Sequence, residues 1–401
     1  MGDERPGSQR ALRRSNARLI LAALGSDGES SHAELARRTG LSRASITNIV
    51  RDLEASGRVR ARAELRAGRN ARVVSLAPRE GLVGCVNVTR TQLRVTLGTL
   101  DREVVAEEVV RLEENQPSAL GISTSVDVLR RQVAGAGAPF SQLRGVVVGV
   151  PGPLDARRGV IEPGSLMPRW VSLDLVAAYG ERLGVPVVAE NDANLGALGE
   201  FCFGGWGPDV QSLVYVGITS GVGAGLILGG RLHRGASGAA GEIGHTVVEP
   251  NGPLCRCGSR GCLETYVVAP TMRDLERVHP GSIRTMDDLI RVALEGEITG
   301  RRVIEDMARH LGTAVANLCN TVDPDVVVIA GPVTAVGDLL LEPVRATVER
   351  RAMPSAARAV RIEVAPLGLR AETLGGIALA ADSFGEDPVG TVRPATPAVT
   401  S

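Results

Sequence analysis

One histidine and three cysteines are spaced as ligands of a single metal ion. The segment Gly241-Glu242-Ile243-Gly244-His245 is followed, ten residues after the histidine, by Cys255, Cys257 and Cys262. One imidazole and three thiolates make up the closed tetrahedral ligand set of a structural zinc site. Reactive or buried free thiols are the alternative, but three cysteines within eight residues are too compact for core packing. We therefore predict a structural Zn²⁺ site without an open coordination position.

A second candidate group is the segment Glu190-Asn191-Asp192-Ala193-Asn194, which follows the apolar run at 187–188. A carboxylate at the end of a strand can accept two hydroxyl hydrogen bonds or act as a general base. An Asn-Asp pair is also a common helix cap. The residues alone therefore leave a ligand-binding role and a capping role open.

Helical spacing near the amino terminus predicts three helices that could position a nucleic-acid contact. The first covers residues 14–24, and a capping box formed by Ser31 and Glu34 opens the second. Ser42 can cap the third, which we expect to end at about Ser56. The buried apolar stripe of this third helix consists of Ile46, Ile49, Val50 and Leu53.

The opposite face of the third helix carries side chains that can contact base edges and phosphates. Two extended runs at 58–63 and 72–76, joined by a loop that contains Arg66, Gly68 and Arg69, predict a β-hairpin wing. This order is typical of a winged helix-turn-helix, with the third helix in the major groove; a small helical bundle with a solvated arginine face is the alternative. The predicted DNA-binding residues are Ser42, Arg43, Ala44, Ser45, Thr47, Asn48, Arg51 and Arg69.

The charge distribution favours a polyanion partner for the amino-terminal part only. Residues 1–80 hold sixteen arginines against nine acidic residues, and the remaining residues hold 29 basic against 36 acidic ones. Lysine is absent, which excludes a Walker-type phosphate loop. No apolar stretch approaches the roughly 20 residues that span a membrane, and no signal peptide is recognisable. We therefore expect a cytoplasmic protein without a membrane partner.

From about residue 82, strands alternate with helices, which predicts an α/β body. The predicted strands are a hairpin at 83–97 and the apolar runs at 145–150, 186–189, 212–216, 223–228 and 326–329. The polar residues 1–12 predict a flexible amino terminus. The prolines of the last residues predict a disordered tail at 387–401.

The chain resembles the ROK family, which comprises sugar kinases and the sugar-responsive repressors of the NagC, Mlc and XylR type. The resemblance covers residues from about 10 to 385. It is carried by G-E-x-G-H at 241–245, by C-x-C-G-x-x-G-C-x-E at 255–264, by Asn191-Asp192, and by Pro151-Gly152-Pro153 upstream of Gly164 and Trp170.

The resemblance implies roles for these residues. The zinc ligands would be His245, Cys255, Cys257 and Cys262. The sugar would be bound by Asn191, Asp192, Glu242, His245 and Glu264, with the His245 ring facing the sugar while it ligates the metal. In the family's kinases the aspartate of the Asn-Asp pair deprotonates the hydroxyl that is phosphorylated.

The resemblance also implies the architecture. A winged helix-turn-helix at 13–80 would be followed by a two-lobed, actin-like (ASKHA, ribonuclease H-like) ROK domain with a structural zinc site. The smaller lobe would cover 81–191 plus about 376–386. The larger lobe, with the zinc site and the dimer interface, would cover 192–375. A sugar that prefers the closed form of such a cleft shifts its equilibrium.

The residues that bind nucleotide in the family's kinases are only partly retained. The first phosphate loop, Asp-x-Gly-Gly-Thr in the kinases, is here Asn87-Val88-Thr89-Arg90-Thr91, which has lost the carboxylate and both glycines. The second loop, 219–225, keeps its glycines, and the adenosine-side Gly-Gly-Gly is Ala330-Gly331-Pro332. We therefore predict a protein that is not an enzyme, with Asp192 as a vestigial kinase base; an active, ATP-dependent sugar kinase with a regulatory DNA-binding arm is the alternative.

The function expected from these features is that of a sugar-responsive, DNA-binding transcription regulator. We expect a repressor of carbohydrate uptake or metabolism genes, with a sugar or sugar derivative as effector. A homodimer or homotetramer would bind an inverted-repeat operator in double-stranded DNA.

Overall fold

The structure is a computed structural model that divides after Glu80 into two compact units. It describes residues 13, 16–17, 19–21, 23–25, 28–66, 69–113, 116–155, 158–162, 165, 167–268 and 283–385, without the side chains of 65–70. The predicted flexible amino terminus at 1–12, the tail at 387–401, Gly68, Gly164 and the Arg69 side chain lie outside these residues.

The first unit combines helices with a small antiparallel sheet of order β1-β3-β2. The described residues between 13 and 25 are helical. The elements that follow are β1 (Ser30–Ser31), α1 (His32–Thr39), α2 (Arg43–Ala55), β2 (Val59–Arg66) and β3 (Arg69–Leu76).

The sequence signals for the two helices after residue 30 are confirmed. Ser31 Oγ accepts from Glu34 N, and the Glu34 carboxylate accepts from Ser31 N at 2.7 Å, which completes the capping box of α1. Ser42 Oγ accepts from Ser45 N at 3.1 Å and so caps α2. The predicted stripe of α2 is buried in the core of this unit. The opposite face of α2 is therefore the one exposed to solvent.

The second unit contains two five-stranded sheets. In the first, of order β10-β7-β4-β5-β6, strands β10, β7 and β4 are parallel and β4, β5 and β6 antiparallel. These strands are β4 (Leu82–Val88), β5 (Gln92–Thr99), β6 (Val104–Arg111), β7 (Leu143–Val150) and β10 (Val187–Asn191).

A two-stranded ribbon and two helices accompany this sheet. They are α3 (Ser118–Gly135), β8 (Leu154–Asp155), β9 (Val160–Ile161) and α4 (Leu175–Leu183). Leu129 and Tyr179 pack with Val146 and Val148 in one core. The valine-rich β7 is buried over almost its whole length, as expected of a strand inside a parallel sheet.

The second sheet has the order β13-β12-β11-β14-β15. Its strands are β11 (Leu213–Ile218), β12 (Val222–Leu228), β13 (Arg231–Leu232), β14 (Val326–Ala330) and β15 (Arg361–Val364). The helices of this part of the chain are α5 (Asp192–Phe203), α6 (Glu264–Val267), α7 (Met286–Leu294), α8 (Ile298–Val322), α9 (Asp338–Arg351), α10 (Pro354–Ala359) and α11 (Ala371–Phe384).

Helices α5 and α11 connect the two sheets. Their apolar side chains share one core with strands of both sheets. Glycines allow the two helix backbones to touch, because a Cβ on Gly199 would lie 1.9 Å from Ala371 O and one on Gly375 would lie 1.8 Å from Leu195 O. This close packing fixes the amino-terminal end of α5, where Asp192 lies.

The predicted α/β class is confirmed, and most predicted strands are present with ends shifted by a few residues. The wing is the main difference, because β2 continues to Arg66 and β3 begins at Arg69, residues that the sequence placed in a loop. All eight residue pairs of the hairpin are in register. Cross-strand pairing therefore continues beyond the apolar part of the ribbon, where alternation no longer signals a strand. No described helix is both long and apolar enough to cross a membrane.

Candidate functional site

The structure brings His245, Cys255, Cys257 and Cys262 together. One ligand atom from each residue lies within 4.8 Å of the others. The Sγ of Cys255 lies 3.5 Å from Nδ1 of His245, and the sulfurs of Cys257 and Cys262 are 3.7 Å apart. Two thiolates bound at about 2.3 Å to a tetrahedral zinc ion are about 3.8 Å apart. The donor set and its spacing therefore fit zinc.

The backbone around this cluster holds the ligands in place. Gly241 has φ 94°, and a Cβ there would lie 1.9 Å from Ala224 O, so the segment that ends at His245 lies directly on β12. Ala224 N donates to Gly241 O at 2.8 Å. Cys262 forms a β-bridge with Val247. The four candidate metal ligands are thus held by two loops that also contact each other.

Asn191 caps α5 and holds a neighbouring loop. Its Oδ1 accepts from the backbone N–H groups of Ala193 and Asn194 at 2.9 and 3.2 Å, and its Nδ2 donates to Gly152 O at 3.1 Å. Gly152 belongs to the Pro-Gly-Pro segment noted in the sequence. The capping role is therefore present, and one N–H of the Asn191 amide remains for a ligand.

Asp192 lies beside Glu242, although fifty residues separate them. Burial and the Glu242 carboxylate together raise the pKa of Asp192 to about 7. Burial also raises the pKa of Glu242, which His245 and Arg256 oppose. Two carboxyl groups at the end of β10 can accept hydrogen bonds from the vicinal hydroxyl groups of a polyol.

Glu264 is ion-paired with an arginine that the sequence analysis did not single out. Arg256 Nε lies 2.7 Å from Glu264 Oε1, and Arg256 Nη2 lies 3.1 Å from Glu264 Oε2. Val222 N donates to the same Oε2 at 3.2 Å. The only advance signal for Arg256 was its place between two cysteines of the zinc cluster.

Glu190 is a second residue whose importance the sequence analysis missed. It is 2% exposed, and its Oε1 accepts from Asn191 N and from Asn194 Nδ2, both at 2.9 Å. Its Oε2 accepts from Arg234 Nε at 2.7 Å. Because Glu190 is the penultimate residue of β10 in the first sheet and Arg234 follows the edge strand β13 of the second, this ion pair links the two sheets close to Asp192.

The segments that match the kinases' phosphate loops have structural roles here. Asn87 is the penultimate residue of β4, accepts from the Cys85 thiol at 3.1 Å and is 4% exposed. Thr89 closes a hairpin turn, since its backbone N–H donates to Gln92 O at 2.9 Å. In the second segment, a Cβ on Gly225 would lie 2.2 Å from Ala193 O. Gly225 is therefore explained by the packing of α5 on β12.

In the first unit, the predicted DNA-binding residues other than Arg69, which begins β3, lie on α2 or at its start. Ser45 is half-buried, and Thr47 Oγ1 donates to Arg43 O at 2.9 Å and lies 3.4 Å from Nδ1 of His32. His32 was not predicted, and its pKa is lowered by burial and by Arg72. The exposed predicted residues are Ser42, Arg43, Ala44, Thr47, Asn48 and Arg51.

The arginines of this unit differ in their partners. Arg62 is ion-paired with Glu29 and Glu64, at 2.7 and 3.0 Å. Neither Arg43 nor Arg51 has an ion-pair partner within the described part of the chain. The exposed face of α2 therefore carries positive charge that the described residues do not compensate.

Comparison with known families gives two matches. A model described as ROK family matches residues 83–383, and one described as winged helix-turn-helix DNA-binding matches residues 13–60. The boundary between the two matches falls near the end of the first unit.

Individual relatives include regulators and kinases. A xylose repressor from Caldicellulosiruptor bescii is 28% identical over 93% of this chain and 97% of its own length. A glucokinase from Halalkalibacterium halodurans is 31% identical over 73% of this chain and 92% of its own length. The crystal structure of a ROK family transcriptional regulator, a homolog of the E. coli MLC protein, has the same fold. It superposes with a TM-score of 0.77 at 24% identity, covering 95% of this chain and 98% of that one.

Proposed function

The chain belongs to the ROK family, and on that premise we propose that it is a sugar-responsive transcription regulator that binds double-stranded DNA through its winged helix-turn-helix. The observation that carries this proposal is the exposed face of α2, on which Arg43 and Arg51 have no ion-pair partner among the described residues. Arginines and small polar side chains on one exposed helix face suit phosphate and base contacts in a major groove.

In the second unit, we assign sugar binding to Asn191, Asp192, Glu242, His245 and Glu264. The carboxylates accept hydrogen bonds from hydroxyl groups, and the packing of α5 and the 241–245 segment on β12 orients them. Zinc, held by His245 with Cys255, Cys257 and Cys262, would supply a structural cross-link between two loops. The protein side chains alone would then contact the sugar.

We propose that the protein represses genes of carbohydrate uptake or metabolism and that the sugar relieves repression. A homodimer or homotetramer would place two winged helices on an inverted-repeat operator. The relative named xylose repressor supports a regulator of this kind.

The test is operator binding in the presence of sugars. Fluorescence anisotropy with DNA from the protein's own promoter should give salt-sensitive binding, weakened by at least one sugar that also raises the Tm. Operator affinity that no sugar of the panel alters would contradict the effector role. Failure to bind that DNA above the level of unrelated DNA would contradict the regulator itself.

Loss of kinase activity is part of the proposal. The Asn87 side chain and the hairpin turn at Thr89 occupy the place of the kinases' first phosphate loop, without its carboxylate or glycines. The retained Asp192 and the glucokinase relative favour the second candidate, a kinase with a DNA-binding arm. A coupled assay with ATP and a panel of aldoses separates the two, because turnover that Asp192→Asn abolishes would establish the kinase.

A further inference from the structure

Arg256 stands between two proposed zinc ligands and reaches a proposed sugar ligand. The turn that carries it is closed by hydrogen bonds from Cys255 N to Ser259 O at 2.8 Å and from Gly258 N to Cys255 O at 3.0 Å. Its side chain is partly buried and forms the two-point ion pair with Glu264 described above. A planar guanidinium that makes two parallel bonds fixes the rotation of a carboxylate as well as its position.

The acceptor positions of Glu264 are largely filled. A carboxylate offers about four positions, two on each oxygen. Oε2 accepts from Arg256 Nη2 and from Val222 N, whereas among the described residues Oε1 accepts only from Arg256 Nε. Glu264 is 8% exposed, so solvent has little access to the carboxylate. The described residues therefore leave one acceptor position, on Oε1, for a hydroxyl group.

Charge explains why the arginine is needed at this place. Glu242 and Asp192 bring further carboxyl groups to the same region, and burial disfavours the charged form of each. A third buried carboxylate without a cation would be costly. The guanidinium of Arg256 compensates Glu264 and leaves its carboxylate able to accept.

We propose that Arg256 is a specificity-determining positioning residue of the sugar site. Its guanidinium, carried on the turn between Cys255 and Cys257, directs a single acceptor position of Glu264 toward one hydroxyl group of the sugar. This inference rests on the sugar binding proposed above. It predicts that Arg256 affects discrimination between sugars that differ at one hydroxyl group, whereas a residue that only stabilised the loop would affect all sugars equally.

The experiment is calorimetric titration of the full-length, zinc-loaded protein with D-xylose, D-glucose and N-acetyl-D-glucosamine, followed by monodeoxy analogues of the sugar that binds most tightly. Arg256→Gln should weaken binding of that parent sugar about ten- to hundredfold, the loss expected when a hydrogen bond to a charged group is misaligned. It should change binding of one deoxy analogue, the one lacking the hydroxyl group that Glu264 contacts, by about twofold or less.

Controls separate this role from a structural one. Arg260→Gln removes an exposed arginine of the same loop and should leave all affinities unchanged. Arg256→Lys, which keeps the charge but not the two-point geometry, should restore part of the affinity for the parent sugar. The zinc content of Arg256→Gln should equal that of the parent protein.

A uniform loss across the parent sugar and all its analogues, or a gain in affinity, would overturn the role of Arg256 and leave the proposed function intact. A parent protein that binds none of the three sugars would instead overturn the sugar site itself, and this inference with it.

Discussion

The Asp192 carboxyl group is held where it is costly to ionise. Its pKa rises from 3.8 to about 7 because of burial and the nearby Glu242 carboxylate. A carboxyl group whose pKa is higher in the folded than in the unfolded state takes up a proton on folding. The stabilisation this gives is complete at low pH and is lost as the pH rises from about 4 to about 7.

Asp192→Asn should therefore stabilise the protein in a pH-dependent way. We expect a Tm several degrees above that of the parent protein at pH 8. Most of this gain should disappear at pH 4, where the carboxyl group is protonated in the folded state and only partly ionised in the unfolded state. Asp174→Asn is the matched control, since Asp174 is an exposed carboxylate that caps α4 through Ala177 N at 2.9 Å. Destabilisation of Asp192→Asn at pH 8 would contradict this account.

The role of an individual residue was predictable where the residue belongs to a sequence motif. It was not predictable where the role depends on a partner far away in the sequence. The zinc cluster could be inferred from its spacing alone. Glu190 and Arg234 are 44 residues apart, and only the fold brings them to 2.7 Å. Asn191 has the capping role that its residue type suggested. Its preference for helix caps could not by itself distinguish this role from ligand binding.

At the scale of elements, α2 should carry the salt-dependent part of DNA affinity. We expect Arg43→Ala and Arg51→Ala each to weaken operator binding about tenfold and to reduce the slope of log affinity against log salt by about one, as for a lost phosphate contact. Fluorescence anisotropy over a range of salt concentrations gives both quantities. The sugar affinity of both variants should be unchanged.

Arg62→Ala serves as the comparison, because two glutamates already compensate its charge. We expect a smaller effect on both affinity and salt slope. If Arg62→Ala weakened binding more than Arg43→Ala, the wing and not α2 would be the main contact.

The stability of the two loops that carry His245 and the three clustered cysteines should depend on bound metal. Cys257→Ser should lower the zinc content, the Tm and the sugar affinity, because the loops would lose their cross-link. A chelator should lower the Tm of the parent protein and have little further effect on the variant. Cys319→Ala is the control, because it removes a buried cysteine of α8 that lies outside the cluster. The zinc content of this variant should equal that of the parent protein. Freshly purified protein without zinc would argue against the site.

Elements were predictable where apolar residues form a continuous run or recur with a helical period. Central strands such as β7 and β14 are short runs of valine and were recognised from composition. The sequence analysis missed β6, in which valines alternate with charged residues along the edge of a sheet. It considered a helix cap at Asn191 but did not predict the extent of α5, which is buried on nearly all sides and has no amphipathic period by which a helix is recognised.

At the scale of the whole molecule, the order of elements predicted the class but not the packing. Strands alternating with helices indicated an α/β body, and the basic amino-terminal part indicated a separate module. Helices α5 and α11 share one core with strands of both sheets because their backbones touch at Gly199 and Gly375. No periodicity in the sequence predicts these contacts. The composition of those helices, with small residues at the contact, is understandable only once their neighbours are known.

The hydrogen bonds of the Glu190 carboxylate offer a way to measure how often the two sheets of the second unit separate. It binds the Asn191 amide hydrogen through one oxygen and the Arg234 side chain through the other. Any excursion that separates the two sheets must release Arg234 and loosen Glu190, which exposes that amide to solvent. Hydrogen–deuterium exchange at Asn191 should accelerate about tenfold or more in Arg234→Ala, and exchange in α8 should not change. The exchange rate of the Asn191 backbone amide would then report how often the two sheets separate, in the absence of DNA, sugar or a spectroscopic label.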